Sequence, residues 1–205
     1  MLAFLRTFGW LASIVYATIP CFWLAIHPFA GFWRARRSSA YGILLPAWVA
    51  LWIALGFATS HYRHVALYGT PWTWLPAAAL LVLGVHLYRL SGDGFSLKLL
   101  SGLPELSPPD IASDALGNSA QKLVVSGVHQ RVRHPIYAAH LCELTAWALG
   151  TGLAVIYALL AVALLTGWLM IWLEERELLS RFGDEYRSYQ SRVPMLIPRF
   201  ATPAR

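Results

Sequence analysis

Charged residues are scarce in this sequence: Asp, Glu, Lys and Arg occupy 13% of 205 positions, about half the share typical of soluble domains. Its two cysteines, Cys21 and Cys142, both lie in apolar stretches, so the sequence has neither a disulfide scaffold nor a paired-cysteine metal motif. We therefore expect no metal site. The formal charge is +6, but the cations flank apolar runs, which is typical of membrane orientation rather than of nucleic-acid binding.

Apolar residues are abundant, at 58% of the sequence with ten tryptophans. A spanning helix needs about 20 mostly apolar residues, and three segments of the first half qualify: Phe8–Ile26, Tyr41–Ser60 and Trp72–Leu90. A second apolar zone, from Ile136 to Leu173, is too long for one span and is interrupted at Gly150-Thr151-Gly152. The pattern predicts an all-α, polytopic membrane bundle of about five transmembrane helices, in which the fourth and fifth form a helical hairpin.

The predicted organisation has two parts. Residues 1–90 form an N-terminal bundle of three spans. Residues 91–205 contain a connecting segment, the hairpin, whose second arm reaches about Phe182, and a polar tail. The connecting segment, residues 91–130, contains an apolar stretch at 95–103 that favours a short interfacial helix or lid. We expect the functional cluster at the cytoplasmic end of the fourth and fifth helices.

Basic residues give a consistent orientation for five spans. Only Arg6 and Arg63 fall on one side of the predicted membrane, and the other arginines and lysines fall on the opposite side. Because cytoplasmic loops are enriched in Lys and Arg, this distribution places the N-terminus outside and the C-terminus in the cytoplasm. We expect an integral membrane protein of a bacterial inner membrane, in contact with membrane lipids.

The densest group of cations is RVRHPIYAAH, which begins at Arg131 and leads into the fourth span. Pro135 suits the first turn of a helix, because a backbone N–H at that position would have no hydrogen-bond partner within the helix. Arg133 and His134 then lie at a helix N-terminus, which favours anions such as carboxylates or phosphates. The alternative is that these residues are interfacial cations that fix the topology.

Two further groups of ionisable residues accompany the apolar zone. Glu174 and Glu175 end its second arm and could hold a cation or a ribose diol, or could simply be a solvated helix end. His140 and Glu143 are three residues apart in the first arm and therefore share a helix face. At that depth they either bond each other or line a substrate cavity, where they could accept a proton.

At this point two motifs resemble a known family. LVVSGVHQRVRHPIY, from Leu123, and LEERELLSRFGDEYRSYQSRVPMLIPRF, from Leu173, are similar to the integral membrane methyltransferases of the isoprenylcysteine carboxyl methyltransferase and phospholipid methyltransferase group. The resemblance extends from about Gly94 to Phe200. His129 departs from it, because the family usually has tyrosine there.

The resemblance implies S-adenosylmethionine as the methyl donor and cofactor. The residues it assigns to cofactor binding are Gly127, His134, Pro135, Tyr137, Glu174 and Glu175, and His129 and Tyr186 are further candidates for the same site. Arg133 and His134 are expected near the donor's carboxylate, and the two glutamates near its ammonium or ribose hydroxyls. Arg133, His140 and Glu143 are the candidate catalytic residues.

The acceptor implied by the resemblance is a lipophilic small molecule, lipidic or prenylated. Methylation of a carboxylate oxygen is favoured and would need no base. A phenol or amine acceptor would involve proton transfer to Glu143, His140 or His129. Two alternatives remain open: a membrane sterol-type reductase that uses NADPH, and a non-enzymatic membrane scaffold or transporter.

Overall fold

A computed structural model describes residues 2–91, 123 and 125–198. Over those residues the chain is helical, and the one strand-like contact among them is an isolated antiparallel bridge between Ala66 and Leu153. The α-helices are α1 (Leu2–Ile26), α2 (Ala30–Arg34), α3 (Arg37–Ser60), α4 (Trp74–Leu90), α5 (Pro135–Thr151), α6 (Ala154–Phe182) and α7 (Asp184–Arg192). Short 3-10 helices occupy His27–Phe29, Pro71–Thr73 and Gly127–Gln130. The predicted all-α class is confirmed for this part of the chain, whereas the predicted helix or lid at 95–103 lies outside the described residues.

Four helical stretches in the described part of the chain are long and apolar enough to cross a membrane: Leu2–Phe29, Gly42–Ser60, Pro71–Leu90 and Ala154–Phe182. They correspond to the first, second, third and fifth predicted spans and support an integral membrane protein. The fourth predicted span is α5, which has 17 residues. At about 1.5 Å per residue it is about 25 Å long, shorter than the roughly 30 Å of a hydrocarbon core. The total of five spans therefore stays a prediction.

The predicted break between the arms of the hairpin is confirmed. Gly152 caps α5 in the left-handed region, with φ 66°, which non-glycine residues adopt only at a cost. A Cβ at this position would also lie 2.6 Å from the carbonyl oxygen of Tyr68. The turn is therefore closed tightly against the loop that follows α3, and α6 begins two residues later at Ala154.

Helix α4 packs along α5 over much of its length. Gly84 makes this approach possible, because a Cβ there would lie 2.7 Å from Glu143 Cγ and 3.1 Å from the carbonyl oxygen of Ala139. Ala139 is itself fully buried. Small residues at the contact bring two helices close together, as is common in membranes. The helix that carries the candidate site is thus held by a helix from the N-terminal part.

Helix α1 packs against α3, α5 and α6. Its buried surface forms one core cluster with residues of the hairpin: Trp10, Ile14, Ala17, Leu144, Ala148, Leu153, Val155, Ile156 and Leu159. The indole N–H groups of Trp48 and Trp52 on α3 donate to Thr18 Oγ1, at 3.0 and 2.8 Å. A buried indole needs such a partner, so these bonds fix α3 against α1.

Cations separate to the two ends of the bundle. Arg6 donates to the carbonyl oxygens of Thr151 and Tyr68, each at 3.3 Å, and it shares a small cavity with Arg63 near the hairpin turn. Arg133 lies beyond the other end of α5. The orientation of these two ends relative to a membrane stays a prediction.

Candidate cofactor and acceptor site

The candidate site is built around the N-terminus of α5. Pro135 is the first helical residue and is buried, and His134 is the N-cap. The 3-10 helix Gly127–Gln130 precedes them. Gly127 has φ 61°, and nothing lies within 4 Å of a Cβ built there, so the position depends on the left-handed conformation and not on space. The first-turn N–H groups of α5 thus open towards a short, sharply folded approach segment.

The Arg133 side chain connects α5, α6 and the tail. Its Nε and Nη2 both lie 2.7 Å from Glu175 Oε1. Its Nη1 donates to the carbonyl oxygens of Gln190 and Val193, at 3.1 and 2.5 Å. The guanidinium is only 10% exposed. Its charge and most of its donors are therefore satisfied by the protein itself.

Glu175 is the central hydrogen-bond acceptor of the candidate site, which we call the corner: Arg133, His134, Glu174, Glu175 and Tyr186. Besides Arg133, its Oε1 lies 3.1 Å from His134 Nε2 and accepts from the Tyr186 hydroxyl at 3.4 Å. Its Oε2 accepts from Gln190 Nε2 at 3.0 Å. With an exposed fraction of 14%, this carboxylate is held by four side chains. Charge-assisted hydrogen bonds of this kind are the strong ones.

Glu174 is less engaged than its neighbour. Its Oε2 lies 3.6 Å from His134 Nδ1, and its side chain is 32% exposed. The two glutamates, which the sequence presents as an equivalent pair, therefore differ: Glu175 is bound within the protein, and Glu174 keeps a carboxylate available to a ligand.

His134 is charged in this setting. Burial favours the neutral imidazole, but the carboxylates of Glu174 and Glu175 outweigh it and raise the pKa of His134 to about 9. The ring is 4% exposed as a residue and lies against Tyr137, with 5.8 Å between ring centroids. The imidazolium of His134 adds to the positive potential of the helix N-terminus. Both glutamates are attracted to this positive charge.

The tail closes over the corner through backbone hydrogen bonds. Arg133 N donates to the carbonyl oxygen of Pro194 at 2.9 Å, and His134 N donates to that of Met195 at 3.0 Å. Tyr186, Tyr189 and Val193 form a small buried cluster beneath it. The tail is thus fixed to the segment before α5. Burial also raises the pKa of the Tyr186 hydroxyl.

His129 stands where the family resemblance leads one to expect tyrosine. Its backbone oxygen accepts from the Tyr189 hydroxyl at 2.7 Å, and its Nδ1 lies 3.3 Å from the carbonyl oxygen of Arg133. Burial is the largest effect on its ring and lowers the pKa of His129. The ring is therefore a neutral, half-buried wall of the corner.

His140 and Glu143 lie in a second polar group, which we call the inner cluster: Tyr16, Tyr88, His140 and Glu143. Tyr88 on α4 is hydrogen bonded to His140 Nδ1. The Tyr16 ring of α1 lies 5.0 Å from the His140 ring, and Tyr16 interacts with Glu143, which is 5% exposed. The inner cluster therefore gathers side chains from three helices inside the bundle.

The structure brings most of the predicted site residues together. Arg133, His134, Glu174, Glu175 and Tyr186 meet at one corner, with Pro135 and Tyr137 beside it. Sequence reasoning did not find Gln190, or the roles of Tyr16 and Tyr88. The available signal for the tyrosines was a hydroxyl within an apolar helix.

Comparison with known proteins identifies the segment that carries this corner. The family model described as phospholipid methyltransferase matches residues 110–185. Methanethiol S-methyltransferase 1 of Bradyrhizobium diazoefficiens is 42% identical over 71 residues, which are 35% of this chain and 24% of that protein. Methanethiol S-methyltransferase 2 of the same organism is 33% identical over 81 residues, which are 40% of this chain and 30% of that protein.

The match to these curated relatives thus spans less than a third of their length. No solved structure matches the chain significantly. The matched segment contains the N-terminus of α5 and both glutamates of α6, which are the elements that build the corner. Over residues 110–185 this chain is similar to the phospholipid methyltransferase family, as the motifs on either side of the hairpin predicted.

Proposed function

We propose that this protein is an integral membrane methyltransferase that uses S-adenosylmethionine and acts on a small lipophilic acceptor. The observation that carries the proposal is the meeting of Arg133 and His134 with Glu174 and Glu175, inside the segment that matches the family. The apolar helices α5 and α6 lead to this corner and the polar helix α7 lies beside it, so a lipid-soluble acceptor can approach from the bilayer while a soluble cofactor enters from the aqueous side.

The residues present fit such a cofactor. S-adenosylmethionine supplies an electrophilic methyl group on a sulfonium, next to an amino acid end and a ribose diol. Glu174 is partly exposed and bound by one imidazolium, so its carboxylate can accept from an ammonium or a diol. The first-turn N–H groups of α5, with the charge of His134, suit a carboxylate.

We assign the other polar residues of the corner to positioning. Arg133 and Glu175 bind each other and the tail, so they hold α5, α6 and α7 in register around the site. Correct placement of reacting groups can supply a large part of the rate of a displacement reaction. Tyr137, Tyr186 and Gly127 are proposed to shape the walls and the approach segment.

The acceptor is proposed from two sources. The family resemblance favours a lipidic or prenylated carboxylate, whereas the relatives' names specify methanethiol, a small thiol. We propose that the corner lies on the cytoplasmic side, with the N-terminus outside, because the cations of the family segment lie at this end of the helices. We also propose that the membrane is a bacterial inner membrane.

Calorimetry with S-adenosylmethionine on the detergent-solubilised protein tests the proposal. We expect saturable binding that weakens about tenfold or more in Glu174→Gln, since a charge-assisted contact is worth about 1.5–3 kcal/mol. Glu185→Gln is the matched control, because Glu185 is exposed on α7 and should leave binding unchanged.

Absence of binding to the wild-type protein at millimolar cofactor would overturn the proposal. Stabilisation by NADPH instead would favour the sterol-type reductase. Protein that binds neither cofactor would favour a scaffold or transporter.

A further inference from the structure

The inner cluster contains two buried polar atoms without a hydrogen-bond partner. Among the described residues, neither His140 Nε2 nor Glu143 Oε2 has one. Leaving a buried polar atom unsatisfied costs about 1–3 kcal/mol, and more for a charged group. Two such atoms on neighbouring turns of one helix, in a family segment with a proposed activity, point to a missing binding partner rather than to a packing role.

The chemistry of the two atoms defines that partner. Tyr88 is hydrogen bonded to His140 Nδ1. In the tautomer whose Nδ1 accepts from the Tyr88 hydroxyl, the neutral ring carries its hydrogen on Nε2, which is then a donor. Glu143 Oε2 is an acceptor as a carboxylate. A group that accepts from His140 and gives a proton to Glu143 is a protic nucleophile. A carboxylate acceptor has no proton to give and would be repelled by Glu143.

A continuous line of side chains connects this cluster to the corner. His134, Tyr137, His140 and Glu143 follow one another at intervals of three, so each is a neighbour of the next on α5. The His134 and Tyr137 rings are in contact. His140 lies six residues, or about 9 Å, along the helix from His134. The inner cluster is therefore adjacent to the proposed cofactor site, on its membrane side.

We infer that the inner cluster is the acceptor site, and that Glu143 is the base that removes the proton of an aliphatic thiol as its sulfur is methylated. This inference rests on the proposed function, and the choice of a thiol among protic nucleophiles follows the names of the relatives. In the step, a bond forms between the acceptor sulfur and the methyl carbon, and the bond from that carbon to the sulfonium breaks. The electron pair of the broken bond remains on the donor sulfur, which becomes a neutral thioether. The S–H proton passes to the Glu143 carboxylate.

The remaining members of the cluster are positioning residues. Tyr88 sets the orientation and tautomer of His140, and Tyr16 interacts with Glu143. Gly84 keeps α4 close enough for both contacts. Tyr16, Tyr88 and His140 are half-buried, so the cluster reaches the surface of the bundle, where a lipophilic thiol can enter.

The test uses the full chain in detergent with S-adenosylmethionine and three probes: octanethiol, octanoate and thiophenol. We expect methylation of octanethiol and none of octanoate. Glu143→Gln should lower kcat for octanethiol by about 100-fold or more, the usual contribution of a general base. Thiophenol is largely ionised at neutral pH and needs no base, so its turnover by the variant should stay within about tenfold of wild type.

The affinity for S-adenosylmethionine distinguishes failure of this inference from failure of the proposed function, with Glu185→Gln as the control variant. Unchanged binding of S-adenosylmethionine to Glu143→Gln shows that the variant is folded. If the wild-type protein binds the cofactor but methylates octanoate rather than octanethiol, the inference is wrong and the proposed function survives. An equal loss with both thiols would also overturn the role of Glu143 as a base. If the wild-type protein does not bind the cofactor at all, the proposed function itself fails.

Discussion

Replacing Glu175 by glutamine should release the tail from the corner. The carboxylate is bound to Arg133 at 2.7 Å and to His134 at 3.1 Å, and both partners are buried. Glutamine keeps the shape but removes the charge, which leaves a buried guanidinium and an imidazolium without their shared counterion. Removing one partner of a buried pair costs about 3–5 kcal/mol. We take about 3 kcal/mol, because Arg133 retains its bonds to two tail carbonyls.

Limited trypsin digestion measures this opening directly. Arg187 and Arg192 on α7 are exposed, and cleavage there requires the short helix to unfold locally. When opening is fast, the cleavage rate follows the population of the open form. A cost of about 3 kcal/mol corresponds to roughly a 150-fold faster cleavage.

Glu174→Gln is the matched control, because it makes the same chemical change one residue away. Glu174 pairs with His134 at 3.6 Å and is 32% exposed. Its loss should cost about 1 kcal/mol or less, or up to roughly fivefold in cleavage rate. Equal protection of both variants, or a rise below about tenfold for Glu175→Gln, would refute the assignment of Glu175 to holding the tail.

Three further predictions concern pH and helix contacts. The pKa of His134 is raised from 6.5 to about 9, which corresponds to about 3 kcal/mol of stabilisation by the charged ring. This stabilisation is fully present below about pH 6.5 and is lost as the pH rises through about 9. Protection from trypsin should therefore fall over that window, and His134→Asn should remove this pH dependence. Gly84→Ala should lower the melting temperature in detergent, because its Cβ would lie 2.7 Å from Glu143 Cγ. The control Gly56→Ala should not lower it, because no atom lies within 4 Å of a Cβ at that position. Equal shifts of the melting temperature would contradict the close contact of α4 and α5. Gly152→Ala combines a left-handed φ of 66° with a backbone clash at 2.6 Å and should cost at least about 2 kcal/mol, measured by thermal unfolding; a melting temperature within about 1 °C of wild type would show that the turn relaxes.

Several features of the fold could be predicted from the sequence because they depend on local patterns. Apolar runs of about 20 residues have few structures open to them in a bilayer other than helices, and four of the five predicted spans correspond to helices long enough to cross. Gly150 to Gly152 marked the hairpin turn, since glycine tolerates the left-handed conformation that ends α5. The fourth predicted span was the exception, because its 17 residues give a helix whose membrane depth depends on its neighbours.

The candidate site was also predicted only in part from the sequence. The sequence by itself determined which residue types stand at the start of α5 and in the last part of α6, and the motifs RVRHPIY and LEEREL were enough to indicate the family. It could not tell Glu174 from Glu175, because adjacent residues on α6 point in directions about 100° apart and only packing decides which one meets Arg133.

The tertiary structure alone decided the two polar groupings. Arg133 and Glu175 are 42 residues apart in the chain, and the inner cluster joins α1, α4 and α5. Such contacts depend on how helices are rotated and how closely they approach, which is set by the sum of many packing contacts such as that at Gly84. Periodicity and motifs act within one helix, whereas a site between helices exists only after all of them have been packed.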